Sequence, residues 1–94
     1  MRTVIQVIPT ENYQVYVYFS SGVVRLYDAK ALVNKGVFSV LSDVDFFMNR
    51  CTVLNNTLAW DQSGSYDPYT CLDIDPGHVY AESIPVEDPL QRFA

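Results

Sequence analysis

The sequence has 94 residues, which suits one domain built around a single hydrophobic core. Its composition, 49% hydrophobic and 18% charged, is too apolar for a disordered chain, and polar residues interrupt the apolar runs too often for a membrane-spanning helix. A net charge of −5 repels nucleic-acid phosphates, and the six basic residues are scattered along the chain, so direct binding of nucleic acid is not expected.

The start of the chain and its cysteines indicate a cytoplasmic protein. Gln6 soon interrupts the apolar residues that follow Arg2, so no secretion signal is predicted. Cys51 and Cys71 belong to no Cys-x-x-Cys or Cys/His pattern, which predicts reduced, buried thiols rather than a disulfide or a metal site. We therefore expect a protein without cofactor or metal that does not associate with membranes.

Three β-strands are predicted at the start of the chain. Residues 2–8 are rich in β-branched side chains, and residues 13–20 and 23–28 alternate between aliphatic positions and polar or aromatic ones. Ser21 and Gly22 are predicted to form a two-residue hairpin turn between the second and third strands, because glycine readily adopts the positive φ that such turns require.

This turn sets the predicted register of the hairpin. If Ser20 pairs with Val23, one face of the hairpin carries only aliphatic side chains and a phenylalanine, which belong in the core: Val15, Val17, Phe19, Val24 and Leu26. In the same register Tyr18 lies opposite Arg25 and Tyr16 lies opposite Tyr27. The opposite face would then carry three tyrosines and an arginine.

The rest of the chain predicts short helices, a second hairpin and a loop. The first helix is predicted over 29–33, capped by Asp28 and stopped by Gly36. The second is predicted over 43–49, capped by Ser42 or Asp43, with Val44, Phe47 and Met48 facing inward. Strands 51–54 and 57–60 around the turn Asn55-Asn56, a surface loop 61–69, an edge strand 70–74 and a helix over 76–83 capped by Asp75 follow.

The predicted fold class is α+β, with a small, mostly antiparallel sheet of about five strands and two or three short helices. Residues 1–84 are predicted to form the single domain. Residues 85–94 are predicted to be a loosely ordered acidic tail.

The order of these features resembles a known prokaryotic family. The residues that carry the resemblance are Ser21-Gly22, Arg25 to Asp28, Leu32, Gly36-Val37-Phe38, Asp43 with Phe46-Phe47, Leu58-Ala59-Trp60-Asp61, and Asp73-Ile74-Asp75-Pro76 with Tyr80. Over about residues 2–82 the chain resembles the family catalogued as domain of unknown function 2442. The resemblance implies a small bacterial α+β domain, sometimes fused to a helix-turn-helix module and sometimes proposed as one half of a toxin–antitoxin-like pair. It implies no chemical activity.

No catalytic or metal-binding set of residues is predicted. His78 is the only histidine and no serine lies in a nucleophile-elbow sequence, so His78 is interpreted as an exposed helix residue and the protein as a non-enzyme. Asp43 and Asp75 are interpreted as helix caps rather than cation ligands. The loop 61–69 carries alternating oxygen donors, but it lacks the glycine position and the closing glutamate of a calcium loop.

The aromatic residues leave two binding hypotheses. Tyr16, Tyr18, Arg25 and Tyr27 are the predicted interaction face, because exposed tyrosines are enriched at protein interfaces. The alternative for that face is that the last helix covers it. The predicted function is a protein-interaction module, either a homodimer or one partner of a small regulatory pair.

The second hypothesis is a small-ligand-binding domain. Its predicted pocket lies near Trp60, Tyr66, Tyr69 and Arg25, which combine apolar surface with a few polar groups.

Overall fold

The computed structural model describes residues 2–91 and confirms the α+β fold, with two antiparallel sheets in place of one. In chain order the elements are β1 (Val4–Pro9), β2 (Gln14–Phe19), β3 (Val24–Asp28), a 3₁₀ helix (Gly36–Ser42), α1 (Val44–Arg50), β4 (Cys51–Leu54), β5 (Thr57–Trp60), β6 (Leu72–Asp73), α2 (Pro76–Ala81), β7 (Ser83–Pro85) and a second 3₁₀ helix (Pro89–Gln91). The four-stranded sheet has the order β1-β2-β3-β7, and the three-stranded sheet has the order β4-β5-β6.

The predicted register of the first hairpin is wrong by one residue. Tyr18 pairs with Val24, whereas the prediction paired it with Arg25. The loop therefore has three residues, 20–22, instead of two. The Gly22 N–H donates to the carbonyl oxygen of Phe19 at 3.0 Å, and Gly22 has a φ of 94°. A β-turn followed by a residue with positive φ is a common three-residue hairpin loop, and glycine serves it as well as it serves the two-residue turn.

This shift by one residue exchanges the two faces of β3, so each of its side chains lies on the face opposite to the predicted one. Tyr27 lies opposite Val15 and Arg25 lies opposite Val17, so both project from the inner face of the four-stranded sheet, which packs into the core. The two tyrosines of β2 project from the outer face. The prediction that the three tyrosines and Arg25 share one face is therefore wrong, because directly opposite residues share a face.

Residues 29–35 form successive turns in place of the predicted helix. The N–H of Lys30 donates to Asp28 Oδ1 at 3.0 Å, which caps the first turn. Gly36, with a φ of 51°, then begins the 3₁₀ helix instead of ending an α-helix. A five-residue helix gains too few hydrogen bonds to offset its nucleation, so packing decides this segment. Leu41 is the buried residue that anchors the 3₁₀ helix in the core.

Asp43 caps α1 as predicted. Its Oδ1 accepts hydrogen bonds from the N–H groups of Asp45 at 3.0 Å and Phe46 at 3.5 Å. Phe47 is fully buried, as predicted. Val44 was predicted to be buried as well, but it is 37% exposed.

The second hairpin is confirmed in β4 and β5. Asn55 and Asn56 both have positive φ, 55° and 62°, which is the conformation of a type I′ turn. Trp60 at the end of β5 is fully buried, and its ring centroid lies 5.5 Å from that of Phe47. These rings join the inner face of the four-stranded sheet in one core, which contains Val4, Val15, Val17, Phe19, Tyr27, Ala29, Val33, Leu41, Phe47, Leu58, Trp60, Leu72, Ile74 and Val79.

The last strand was not predicted from the sequence. α2 begins as expected, because Asp75 Oδ2 accepts from the N–H of His78 at 3.1 Å and Pro76 occupies the first turn. It is shorter than predicted and leads into β7, which pairs antiparallel with β3. The predicted domain end at residue 84 falls within β7.

Residues 86–91 run from the end of β7 across the outer face of the four-stranded sheet. The N–H of Val86 donates to the carbonyl oxygen of Val24 at 3.1 Å, and the segment ends in the second 3₁₀ helix. Residues 92–94 of the predicted tail lie outside the described residues. Among the described residues, no helix has the length and apolar character needed to span a membrane.

Candidate functional site

An apolar row crosses the outer face of the four-stranded sheet, with one side chain from each strand. Ile8 lies opposite Tyr16, Tyr16 opposite Leu26, and Leu26 opposite Ile84. Directly opposite side chains in antiparallel pairs are neighbours on one face, so these four form a continuous strip, which we call the apolar row. Ile84 is 60% exposed and the other three are partly exposed. The row therefore offers apolar surface that nothing in the described chain covers completely.

Tyr18, beside the apolar row, is covered by the segment 86–91. The Tyr18 hydroxyl donates to Asp88 Oδ1 at 2.5 Å, and the side chain is only 8% exposed. Burial, together with the hydrogen bond to the Asp88 carboxylate, raises the pKa of Tyr18 to about 12. The cover over this tyrosine is the C-terminal segment and not the last helix.

The segment 86–91 also gives the apolar row an acidic border. A cavity of about 260 Å³ lies between Tyr16 and this segment, and Glu87 is in its lining. Asp88 lies beside it. Asp28 follows Leu26 by two positions on the same face of β3, but Lys30 pairs with it at 3.8 Å, so the acidic border consists of Glu87 and Asp88. No lysine or arginine projects from the outer face of the described strands. The outer face thus combines an apolar centre with negative charge.

Arg25 and Tyr27, predicted on the same face as Tyr16, lie on the opposite side of the sheet. Arg25 Nε donates to Ser83 Oγ at 2.8 Å, a second guanidinium nitrogen donates to the Ser83 carbonyl oxygen, and its Cζ lies 4.3 Å from the ring centroid of Tyr80. Tyr27 is 3% exposed, and burial raises the pKa of its hydroxyl. Neither residue can contribute to a contact on the outer face.

The structure does not bring together the residues of the predicted ligand pocket. Trp60 is fully buried and its Nε1 donates to the carbonyl oxygen of Phe47 at 3.2 Å, so the indole belongs to the core. Tyr66 and Tyr69 are 59% and 94% exposed on the loop that follows β5. Arg25 lies in the other sheet. A pocket lined by these four side chains is therefore absent from the described part of the chain.

The histidine and the buried Asp61 each lie near another side chain of the described chain. His78 is exposed on α2, with its ring centroid 6.4 Å from that of Tyr27. Asp61, which is buried, accepts from Ser63 Oγ at 3.1 Å and lies 3.7 Å from the Arg50 guanidinium. Across residues 2–91, no three His, Cys, Asp or Glu side chains are grouped closely enough to hold a metal ion.

A comparison with protein-family profiles matches residues 4–85 to a family described as protein of unknown function (DUF2442). The chain belongs to the DUF2442 family. The family resemblance predicted from the sequence motifs is thereby confirmed. No curated protein and no solved structure matches the chain.

Sequence reasoning missed three members of the apolar row of this DUF2442 chain. The predicted two-residue turn places Leu26 on the core face of β3, whereas the observed loop places it on the outer face. Ile84 lies just beyond the predicted last helix, 76–83, and no strand is predicted there, since three residues ending in Pro85 give too short a pattern to indicate one. The signal that could have found Leu26 is the three-residue alternative for the loop, which places it beside Tyr16.

Proposed function

We propose that this DUF2442 chain is a non-catalytic protein-interaction module of the bacterial cytoplasm, one partner of a small regulatory pair. It binds a second protein through the apolar row and its acidic border. The observation that carries the proposal is the exposed strip formed by Ile8, Tyr16, Leu26 and Ile84 across all four strands.

The apolar centre of the row supports an interface of modest affinity. Fully burying an isoleucine side chain contributes roughly 1.5–3 kcal/mol, and Ile84 still has 60% of its surface to lose to a partner. Covering it is thus expected to contribute about 1–2 kcal/mol, which is about tenfold in the dissociation constant. Tyr16 adds a ring with a polar hydroxyl, a type of side chain that is frequent in interface cores.

The acidic border favours a different protein over a second copy. In a two-fold symmetric dimer this face would meet itself, so the acidic border of one copy would approach strands whose outer face carries no lysine or arginine. The net charge of −5 adds to this repulsion. A partner with an apolar patch flanked by lysine and arginine would bury its patch against the apolar row and pair its positive charges with the acidic border. We therefore propose a basic-rimmed protein as the occupant of this face.

Site-specific crosslinking tests this proposal. A photoreactive residue in place of Ile84 is compared in the native host with the same residue in place of Val37, which is 72% exposed and lies in the first 3₁₀ helix, away from the outer face. We expect a heterologous protein to crosslink at position 84 and not at position 37. Its purified form should bind the chain, and NaCl should weaken that binding because screening reduces the attraction.

Two substitutions identify the surface that is used. Ile84→Asp should weaken binding of the purified partner by about tenfold or more, while Val37→Asp, an equal change in charge and polarity, should leave it unchanged. Sedimentation at micromolar concentration should show a monomer. Equal crosslinking at both positions would exclude the apolar row as an interface. Self-association that Ile84→Asp abolishes would replace the proposed partner with a second copy.

A further inference from the structure

Two arginine side chains meet at Tyr80, beside the loop 20–22. The Cζ atom of Arg2 lies 3.9 Å from the Tyr80 ring centroid, and that of Arg25 lies 4.3 Å from it. The edge of the ring packs on Phe19, with 5.3 Å between centroids and 74° between the planes. Contacts between a guanidinium group and an aromatic face are favourable and hold the group in a defined place. Positive charge is therefore concentrated here, although the whole chain is acidic.

A cavity of about 220 Å³ opens at this cluster. Its lining comes from the start of the chain, the first hairpin loop and the Phe19–Tyr80 ring pair, and consists of Arg2, Thr3, Phe19, Ser20, Ser21 and Tyr80. No aspartate or glutamate is in the lining. Within residues 2–91 the two ion pairs are Lys30 with Asp28 and Arg50 with Asp61, so the Arg2 guanidinium has no carboxylate partner there. None of the four hydroxyl groups in the lining, those of Thr3, Ser20, Ser21 and Tyr80, takes part in a side-chain hydrogen bond among the described residues.

We propose that this cavity binds the oxyanion group, phosphate or carboxylate, of a small molecule. The lining offers the planar donor set of Arg2 and the three aliphatic hydroxyl groups of Thr3, Ser20 and Ser21, and guanidinium donors pair well with both kinds of oxyanion. Its volume is below the roughly 300–1,000 Å³ of most ligand sites, which suits an anionic group better than a bulky molecule. Since Arg25 and Tyr80 meet on the inner side of the sheet, the site is independent of the apolar row.

The two arginines have different roles in this site. Arg2 lines the cavity and is exposed, so its guanidinium can contact the ligand. Arg25 does not line the cavity. Its hydrogen bonds to Ser83 and its stacking on Tyr80 make it a positioning residue, which holds the ring on which Arg2 rests.

Titrations followed by amide proton–nitrogen correlation spectra test the site in the full chain. The probes are inorganic phosphate, acetate, and chloride at matched ionic strength. We expect phosphate, acetate or both to shift the amide signals of Thr3, Ser20 and Ser21 in a saturable way, while chloride leaves them in place. A response to phosphate alone assigns a phosphate ligand, a response to acetate alone a carboxylate ligand, and a response to both supports the shared chemistry.

Charge-matched variants make the test specific. Arg2→Gln should weaken the saturable binding by about tenfold, since a hydrogen bond to a charged group is lost, and Lys30→Gln, which removes the same charge at an exposed position, should not. Tyr80→Phe retains the ring and should bind normally, whereas Tyr80→Leu should weaken binding while Arg2 keeps its charge. Equal responses to chloride, absence of any response, or unchanged binding by Arg2→Gln would overturn the proposal.

Discussion

Replacing Tyr27 with alanine distinguishes the observed register of the first hairpin from the predicted one. In the structure Tyr27 is 3% exposed and lies in the core beside α2. Truncating a buried aromatic side chain to alanine costs roughly 3–5 kcal/mol, and we expect about 3 kcal/mol here. In the register with a two-residue turn, Tyr27 would face solvent, and the same change would cost about 0.5 kcal/mol or less.

Urea denaturation followed by the fluorescence of Trp60 measures this difference. Trp60 is the single tryptophan and is fully buried, so its emission reports unfolding of the core. With a denaturant slope of roughly 1.5–2 kcal/mol/M, a loss of about 3 kcal/mol moves the midpoint down by about 1.5–2 M. Tyr69→Ala, at a position that is 94% exposed, is the matched control and should leave the midpoint in place. A loss below about 1 kcal/mol for Tyr27→Ala would refute the observed register.

Three further predictions concern individual contacts. Asp43→Ala should destabilise the protein by about 1 kcal/mol in urea denaturation, because the α1 cap is lost, and Asp43→Asn should restore most of it. Tyr18 should ionise at about pH 12 in the difference between the ultraviolet titrations of the chain and of Tyr18→Phe, and Asp88→Asn should lower that pKa towards its usual value of 10.0. The Cys51 thiol, whose pKa burial raises to about 12, should react with alkylating agents at mildly alkaline pH only after unfolding in urea.

Each of these predictions has a result that contradicts it. If Asp43→Ala and Asp43→Asn were equally stable, the side chain of residue 43 would not stabilise α1 as a cap. For Tyr18 the raised pKa means that the stabilisation is fully present below pH 10 and is lost as the pH rises towards about 12, so a loss of stability between pH 6 and pH 8 could not come from this group. For the thiol, rapid alkylation of Cys51 in the native protein would show that it is not shielded.

Local signals predicted most of the secondary structure. Asp43 and Asp75 mark the starts of α1 and α2, and a side chain that caps a helix needs only residues two or three positions further along the chain. Asn55 and Asn56 likewise specify their own turn, because both tolerate positive φ. These elements depend on neighbours in sequence, so reading the sequence suffices for them.

The register of β2 and β3 could not be settled in the same way. Gly22 fits a turn of two residues and a loop of three, and β3 carries apolar side chains on both faces, including Leu26 and Tyr27. The choice depends on what the far end of the chain provides. α2 packs over Tyr27, and β7 places Ile84 beside Leu26.

The candidate sites were less predictable than the fold for the same reason. The sequence indicates Tyr16 as a surface residue, but its partners in the apolar row come from three other strands. Arg2 and Tyr80 are separated by most of the sequence, and their contact appears only once the core has formed. Contacts of this kind follow from the packing of whole elements, for which a single sequence gives no local pattern.

The position of β7 at the end of the chain has a consequence for the order of folding. β3 and β7 are paired although residues 29–82 lie between them. Closing so long a connection costs entropy, and contacts that are distant in sequence form slowly. Once the three-stranded sheet and α2 have formed, the intervening residues are compact and β7 can dock. We expect Ile84 to reach its place last, so that the apolar row becomes continuous only when the whole four-stranded sheet has formed.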